Sequence, residues 1–392
     1  MTKADKNVVV IGGDSIATRL CVFLRKIRPR LNITLIPFPW QSIGLIRELV
    51  LNIPQFSRRV SWSSLKNYDE KYLSKIARIN IVRFLQPEVL EQAETEDSTI
   101  FISNRGRLKV YFSHSEKTLY PEKTEDLISL LEEIRTLKRK TSEKPVIGGS
   151  LPVLTPFLKL LSRMKVEYTV SIDALKEFFE EDILEHVNTT GFFFSYEKPD
   201  IIIEIEKPEL TSYGIDKCEV NFNMQYNENI YMFGELVKAP EVVSGRKFIF
   251  MNPSIVEKQA YTALMHFIQK VSPARGFLNY INLSLPRCHL VSIGPFPSLL
   301  RDKYYLTSTK VSFNEGKGVI KITGERKEGL LLNVQLASSD PPEFNVSMLY
   351  PLMALKTPLL ESYCFILQKL HKAFEEDPLL NGLTALIRKI YF

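Results

Sequence analysis

Apolar positions in this chain follow two periods, and the order in which the periods alternate points to the fold class. Near the N-terminus a solid apolar run, Val8-Val-Val-Ile11, gives way at Gly12-Gly13 to a segment in which Ile16, Leu20, Phe23, Leu24 and Ile27 recur at helical spacing. A continuous run suits a strand buried on both faces, and the second pattern an amphipathic helix. Pro29 stops the helix, and Ile33-Thr-Leu-Ile36 supplies a second strand. The unit reads strand Asn7–Ile11, helix Ser15–Arg28, strand Asn32–Ile36.

Further along, the pattern predicts a helical stretch at Leu65–Ile79, a strand at Asn80–Leu85 and a hairpin-like pair, Ser98–Ser103 with Arg107–Phe112, around Asn104-Arg-Gly106. The helix Thr124–Lys140 carries Leu127, Leu130, Leu131, Ile134 and Leu137 on one face. Lys144–Val153 then repeats the opening order of strand, glycine turn and helix start, with Val166–Val170 as the next strand. Two copies of one pattern are stronger than either alone. Pro199–Ile205 reads as a buried strand, and Glu219–Phe222 and Asn229–Gly234 return the chain toward its first unit. Strands at Lys310–Ile322 and Leu330–Gln335 precede two helices, Leu359–Phe374 and Leu379–Phe392, separated by Asp377-Pro378.

The candidate chemistry sits where strand turns into helix. A dinucleotide-binding βαβ unit needs Gly-x-Gly-x-x-Gly there, so that backbone N–H groups approach a pyrophosphate at a helix N-terminus. In the first copy those positions are Gly12, Asp14 and Ala17, with Gly13 between the first two. Ala is an accepted variant at the third. Asp14 brings bulk and negative charge to the place of two phosphates, and it also suits a helix N-cap. Gly12 and Gly13 equally suit a tight turn with nothing bound. The second strand ends in Pro37-Phe-Pro39, where an Asp or Glu would hydrogen-bond ribose hydroxyls. In the second copy the positions are Gly148, Ser150 and Val153, with Gly149 after the first. Pro152 suits a first helical turn, and Val153 would hold the helix off the strand.

At 392 residues, 45% hydrophobic and 24% charged, the chain has room for two or three packed domains of ordinary globular composition. Cys21, Cys218, Cys288 and Cys364 are scattered without a CxxC pair, which argues against a disulfide framework and suits a reducing cytoplasm. Cys21 and Cys364 read as small core residues on helices. None of His114, His186, His266, His289 and His371 stands at metal-ligand spacing with another, so no metal is expected. The first six residues lead directly into a strand, so no signal peptide is expected, and no apolar run is long enough to span a bilayer. The net charge of +6 gathers in Arg25, Lys26, Arg28 and Arg30 and in Arg135, Lys138, Arg139 and Lys140. Such clusters read first as solvated helix ends and then as sites for anionic lipid. Without interleaved aromatics, no nucleic-acid partner is expected. In the last helix Leu379, Leu380, Leu383, Leu386, Ile387 and Ile390 share a face opposite Arg388 and Lys389. That face suits core packing, a protein interface or a helix lying in a membrane surface.

Taken in order, the segments Val8–Ala17, Lys123–Ser129, Val146–Val153 and Asn229–Glu235 resemble the two-dinucleotide-binding-domain flavoproteins. The closest branch is type II NADH dehydrogenases and sulfide:quinone oxidoreductases, and the resemblance covers roughly residues 6–270. It implies an α/β fold of two Rossmann-like domains, the second inserted in the first, followed by a C-terminal strand-and-helix segment. The implied boundaries are 1–118 with 219–300 for the FAD-type domain, 119–218 for the NAD(P)-type domain and 301–392 for the remainder. In the family a strand ends in Gly-Asp, whose Asp contacts the flavin's ribityl and phosphate groups. Gly234 and Glu235 hold that place here, and the helix Glu257–Val271, with Gln259, Ala260 and Ala263, resembles the one facing the flavin ring.

The chain also departs from the family. Lys109–Ser115 lacks the Ala-Thr-Gly strand end, and Thr155-Pro156 stand near the place of an acidic residue. Cys218 and Cys288 are not placed as the redox pair of the sulfide:quinone branch. The resemblance implies FAD and NAD(P) as cofactors, whereas the altered motifs argue against both. The leading expectation is a cofactor-impaired homologue that serves as structural or regulatory partner of a quinone-linked redox system. Its expected partner is an intact flavoprotein homologue or respiratory protein, in a homo- or hetero-oligomer. Its expected place is the cytoplasm, including the membrane face through residues 379–392. The alternative is an active FAD-dependent NADH or sulfide:quinone oxidoreductase, with Gly12, Gly13 and Glu235 holding FAD and Gly148 and Gly149 lining an NAD(P)H site.

Overall fold

The computed structural model describes residues 7–38, 78–82, 98–121, 144–150, 165–176, 178–189, 194–206, 217–250, 252–285, 288–340, 348–369 and 377–392, with short stretches between them. Two compact units divide the chain. The first comprises residues 1–168, 199–240 and 247–275, and the second residues 169–198, 241–246 and 276–392. Most of the expected helix Leu65–Ile79, the basic cluster at Arg135 and 138–140, and residues 151–153 and 155–156 lie outside the described residues.

The first unit is built on a five-stranded parallel sheet of β1 (Asn7–Ile11), β2 (Asn32–Ile36), β3 (Asn80–Ile81), β4 (Thr99–Ser103) and β11 (Ile230–Phe233), in the order β11-β4-β1-β2-β3. Every residue of β4 and β11 is buried, with Ile100-Phe-Ile102 at the centre of β4 and a continuous apolar run in β11. The helix Ser15–Ile27 follows β1 and buries Ile16, Ala17, Leu20, Cys21 and Leu24. The helix Pro253–Gln269 packs on β11 and on that first helix, and it starts at an Asn252 cap with proline in the first turn.

Between β4 and β11 the chain builds a second sheet from β5 (Arg107–Phe112), β6 (Lys117–Leu119), β7 (Val146–Gly149) and β10 (Ile201–Glu206). β5 runs antiparallel to β6 and β10, and β10 runs parallel to β7. Because β11 returns to pair with β4, this second Rossmann-like element is inserted into the first. The hairpin expected across 98–112 is therefore corrected: β4 and β5 belong to different sheets. Gly106, at φ +66°, makes the crossing, and a Cβ there would lie 2.5 Å from Ile205 and 2.7 Å from Leu236. Alternating polarity in β5 and an Asn-Arg-Gly turn mimic a hairpin, but β4, with Ile100-Phe-Ile102 at its centre and every residue buried, has both faces covered.

In the second unit a short parallel pair, β8 (Thr169–Ser171) with β9 (Phe194–Ser195), accompanies a five-stranded antiparallel sheet. That sheet comprises β14 (Tyr280–Leu285), β15 (Cys288–Ile293), β16 (Leu306–Phe313), β17 (Gly318–Glu325) and β18 (Leu331–Ser338), in the order β14-β15-β18-β17-β16. The single strand expected at Lys310–Ile322 is two, because Asn314, Glu315 and Gly316 all take positive φ and reverse the chain. The C-terminal helix Pro378–Tyr391 lays Leu379, Leu380, Leu383 and Leu386 into the core that Ile320 and Ile322 also line. Its apolar face is used inside this unit, where Gly382 leaves a would-be Cβ only 2.7 Å from Ile322. Among the described residues no helix is long and apolar enough to cross a membrane. Cys364, expected in the core, is exposed: its helix, Leu359–Lys369, turns Leu359, Ser362 and Ile366 inward instead.

Candidate functional site

At the carboxyl ends of the first unit's parallel strands, the loops after β1, β4 and β11 meet. The strand order places β1 between β2 and β4, a topological switch point of the kind where open α/β sheets bind ligands. Two glycines allow the approach. Gly12, at φ +126°, would carry a Cβ 2.9 Å from that of Ser103, and its N–H donates to Ile36 O at 2.8 Å. Gly234, at φ +136°, would carry one 2.2 Å from the carbonyl oxygen of Asn104. Of the residues singled out in the sequence, Gly12, Gly13, Asp14, Ala17, Gly234 and Glu235 surround this edge.

Asp14 is buried and caps the first helix. Its Oδ1 accepts the N–H groups of Ile16 at 2.8 Å and Ala17 at 3.1 Å. A carboxylate here satisfies the orphan donors of the first turn and complements the positive end of the helix dipole. Those donors are the groups that a bound pyrophosphate uses in a dinucleotide-binding turn.

Glu235 is also engaged. Its Oε1 accepts from the Arg105 guanidinium at 2.9 Å, with the two side chains 2% and 3% exposed. Such a pair is stable only while both partners remain, since either alone is a buried charge. Beside it, the Gly234 N–H donates to Gln259 Oε1 at 3.0 Å, and the Asn104 side-chain amide donates to Cys218 Sγ at 3.1 Å. Around the same edge Asp14 Oδ2, Ser103 Oγ, Asn104 Oδ1 and Gln259 Nε2 are buried without a hydrogen-bond partner among the described residues. Orphaned buried polar atoms at that density mark a place where water, an ion or a ligand is accommodated.

The second glycine motif lies apart from the first. Gly148 pairs with Ile202 within the second sheet, and Gly149, at φ +121°, would carry a Cβ 1.9 Å from the carbonyl oxygen of Ile203. The Ser150 N–H donates to that same oxygen at 2.8 Å, and Ser150 O accepts from the Leu154 N–H at 2.9 Å. Contact between β7 and β10 alone demands glycine at 149.

Neither buried thiol has the character of a nucleophile. Burial, with Asp14's charge second, pushes the Cys21 thiol far up, and burial pushes Cys288 up to about 12. Among the described residues no group of three His, Cys, Asp or Glu side chains is placed to hold a metal. Sequence reasoning missed Arg105, which it treated only as part of a turn. The available signal was a lone charge two residues after β4, whose centre Ile100-Phe-Ile102 is apolar, at the end of a strand that had to be central.

No protein-family model matches the sequence, and comparison with curated protein sequences finds no match. Solved structures do match over nearly the whole chain. A NAD-dependent persulfide reductase from A. fulgidus aligns with a TM-score of 0.72 at 14% identity, covering 98% of this chain and 83% of that one. Reduced Bacillus anthracis CoADR-RHD gives 0.71 at 13%, covering 99% and 81%. A water-forming NADH oxidase from Lactobacillus brevis, bound to NADH, gives 0.68 at 11%, covering 98% and 99%. The chain has the α/β fold of the two-dinucleotide-binding-domain flavoprotein oxidoreductases, and identity this low shows the fold alone.

Proposed function

We infer that this chain keeps the flavoprotein fold while its own side chains take the places of the dinucleotide. It then acts as a structural or regulatory partner of a quinone-linked redox system, alongside an intact homologue. One observation carries the reading: Asp14 Oδ1 holds the two helix N-terminal amides at 2.8 and 3.1 Å. A pyrophosphate brought there would meet a carboxylate instead of free donors, and like charges in a buried place repel strongly. Glu235 repeats the theme, because Arg105 already neutralises the acid that would reach a ribityl chain. As arranged, these residues do not fit FAD.

A second reading has its own support in the orphaned atoms of Ser103, Asn104 and Gln259, which suit a polar ligand at the switch point. On that reading the chain is an FAD-dependent NADH or sulfide:quinone oxidoreductase, and Asp14 turns away from the phosphates.

Asp14→Gly separates the two. Glycine in place of a good N-cap costs only about a few tenths of a kcal/mol, so the variant is expected to fold. Its freed amides are expected to bind inorganic pyrophosphate, raising Tm in a concentration-dependent way while wild-type Tm stays constant. Equal shifts in both proteins would sink the claim that Asp14 is the block.

A further inference from the structure

A groove lies between the first helix and the helix Pro253–Gln269, on a face of the first unit that the candidate site does not use. Ile16, Leu20, Ala260 and Leu264 form its lining together with Phe23 and Tyr261, and Arg19 pairs with Glu257 at the rim at 2.9 Å. Its volume is about 250 Å³, room for more than one bulky apolar side chain. Phe23 and Tyr261 are 42% and 50% exposed, so the recess opens to solvent between two large apolar side chains.

The two helices that form the groove carry an excess of cations. Residues 15–30 contain Arg19, Arg25, Lys26, Arg28 and Arg30 and no acid, while Pro253–Lys270 adds Lys258 and Lys270 against Glu257. Arg25 is used structurally: its guanidinium donates to the carbonyls of Pro29, Leu31 and Arg78 and fixes the end of the helix. Lys26, Arg28 and Arg30 remain exposed, with Phe23 and Ile27 exposed among them. An apolar recess on a helix whose last turn and following residues carry exposed cations complements an apolar ridge flanked by carboxylates.

We propose that this groove docks an acidic amphipathic helix of a partner protein. Apolar side chains one turn apart fill the recess, as helix-in-groove recognition requires, and neighbouring Glu or Asp residues face Lys26, Arg28 and Arg30. The recess favours this occupant over a lipid surface, which takes up protruding apolar groups, and over a nucleic acid, which has no apolar side chain to insert. The assignment extends the partner role proposed above but does not depend on the state of the dinucleotide site, so a flavin measurement leaves it untouched.

The test is selection against the full-length protein from a display library of helical peptides randomised on one face, followed by anisotropy titrations of the enriched sequences. These are expected to carry apolar residues at i and i+4 with flanking Glu or Asp, and to bind more weakly as salt rises. Phe23→Ser with Tyr261→Ser is expected to weaken binding at least roughly tenfold. Lys26→Glu with Arg30→Glu is expected to weaken it roughly fivefold. All four residues are exposed, and unchanged melting curves establish that the variants are folded. Enrichment of peptides without acidic residues, or binding indifferent to both pairs of substitutions, overturns the proposal. So does a selection that yields no binder, or binding of phosphatidylserine vesicles or duplex DNA through Phe23 and Lys26 in place of peptides.

Discussion

Arg105→Met is expected to lower the unfolding free energy by about 3–5 kcal/mol, the usual cost of breaking a buried ion pair by removing one partner. The carboxylate left without its guanidinium is Glu235, 3% exposed at the carboxyl edge of the parallel sheet. Adding Glu235→Met to Arg105→Met is expected to recover most of the loss, since an apolar pair of similar volume is often neutral or stabilising. Urea unfolding of the two single variants and the double variant gives the coupling directly. A double variant no more stable than Arg105→Met would mean that the pair's surroundings, and not the charges, hold this edge together.

The second large effect is expected at Gly149. Its φ of +121° and a would-be Cβ 1.9 Å from Ile203 O make Gly149→Ala both strained and overpacked against backbone, which cannot swing aside as a side chain can. The expected loss is about 2–5 kcal/mol. Gly316→Ala is the control, because Gly316 also has positive φ but its Cβ would meet nothing within 4 Å. Strain alone there should cost about 1–2 kcal/mol. If the two variants lose the same stability, close approach of β7 and β10 is not what Gly149 provides. The comparison matters for function, because it separates a glycine kept for packing from one kept for a phosphate.

The same separation explains how far the sequence could be read. The opening unit was legible almost to the residue, since a buried parallel strand and an amphipathic helix have distinct periods and Pro29 marks the boundary. Gly12, Asp14, Gly234 and Glu235 were also legible as one constellation, through motif order along the chain. What the sequence could not convey was which of their atoms are already used. Asp14 reads equally as a block and as a cap, and only the two N–H groups on Oδ1 show that it caps. Arg105 was hidden in a turn because its partner lies 130 positions away, and long-range pairing leaves no local pattern. The division of Lys310–Ile322 into two strands was missed for a different reason. Polar residues in a four-residue turn do not interrupt strand alternation until their φ values are known. The last helix shows the converse. Its amphipathic face was clear, but core, partner and membrane demand the same pattern, and burial of Leu379, Leu380, Leu383 and Leu386 assigns it to the core.

On the proposed reading, the protein's own carboxylates and Arg105 stand where a dinucleotide would bind. The most direct test is the absorption spectrum of the purified full-length protein after incubation with excess FAD and removal of free flavin by gel filtration. A colourless protein is expected. A stoichiometric flavin band retained by the wild-type chain would contradict it.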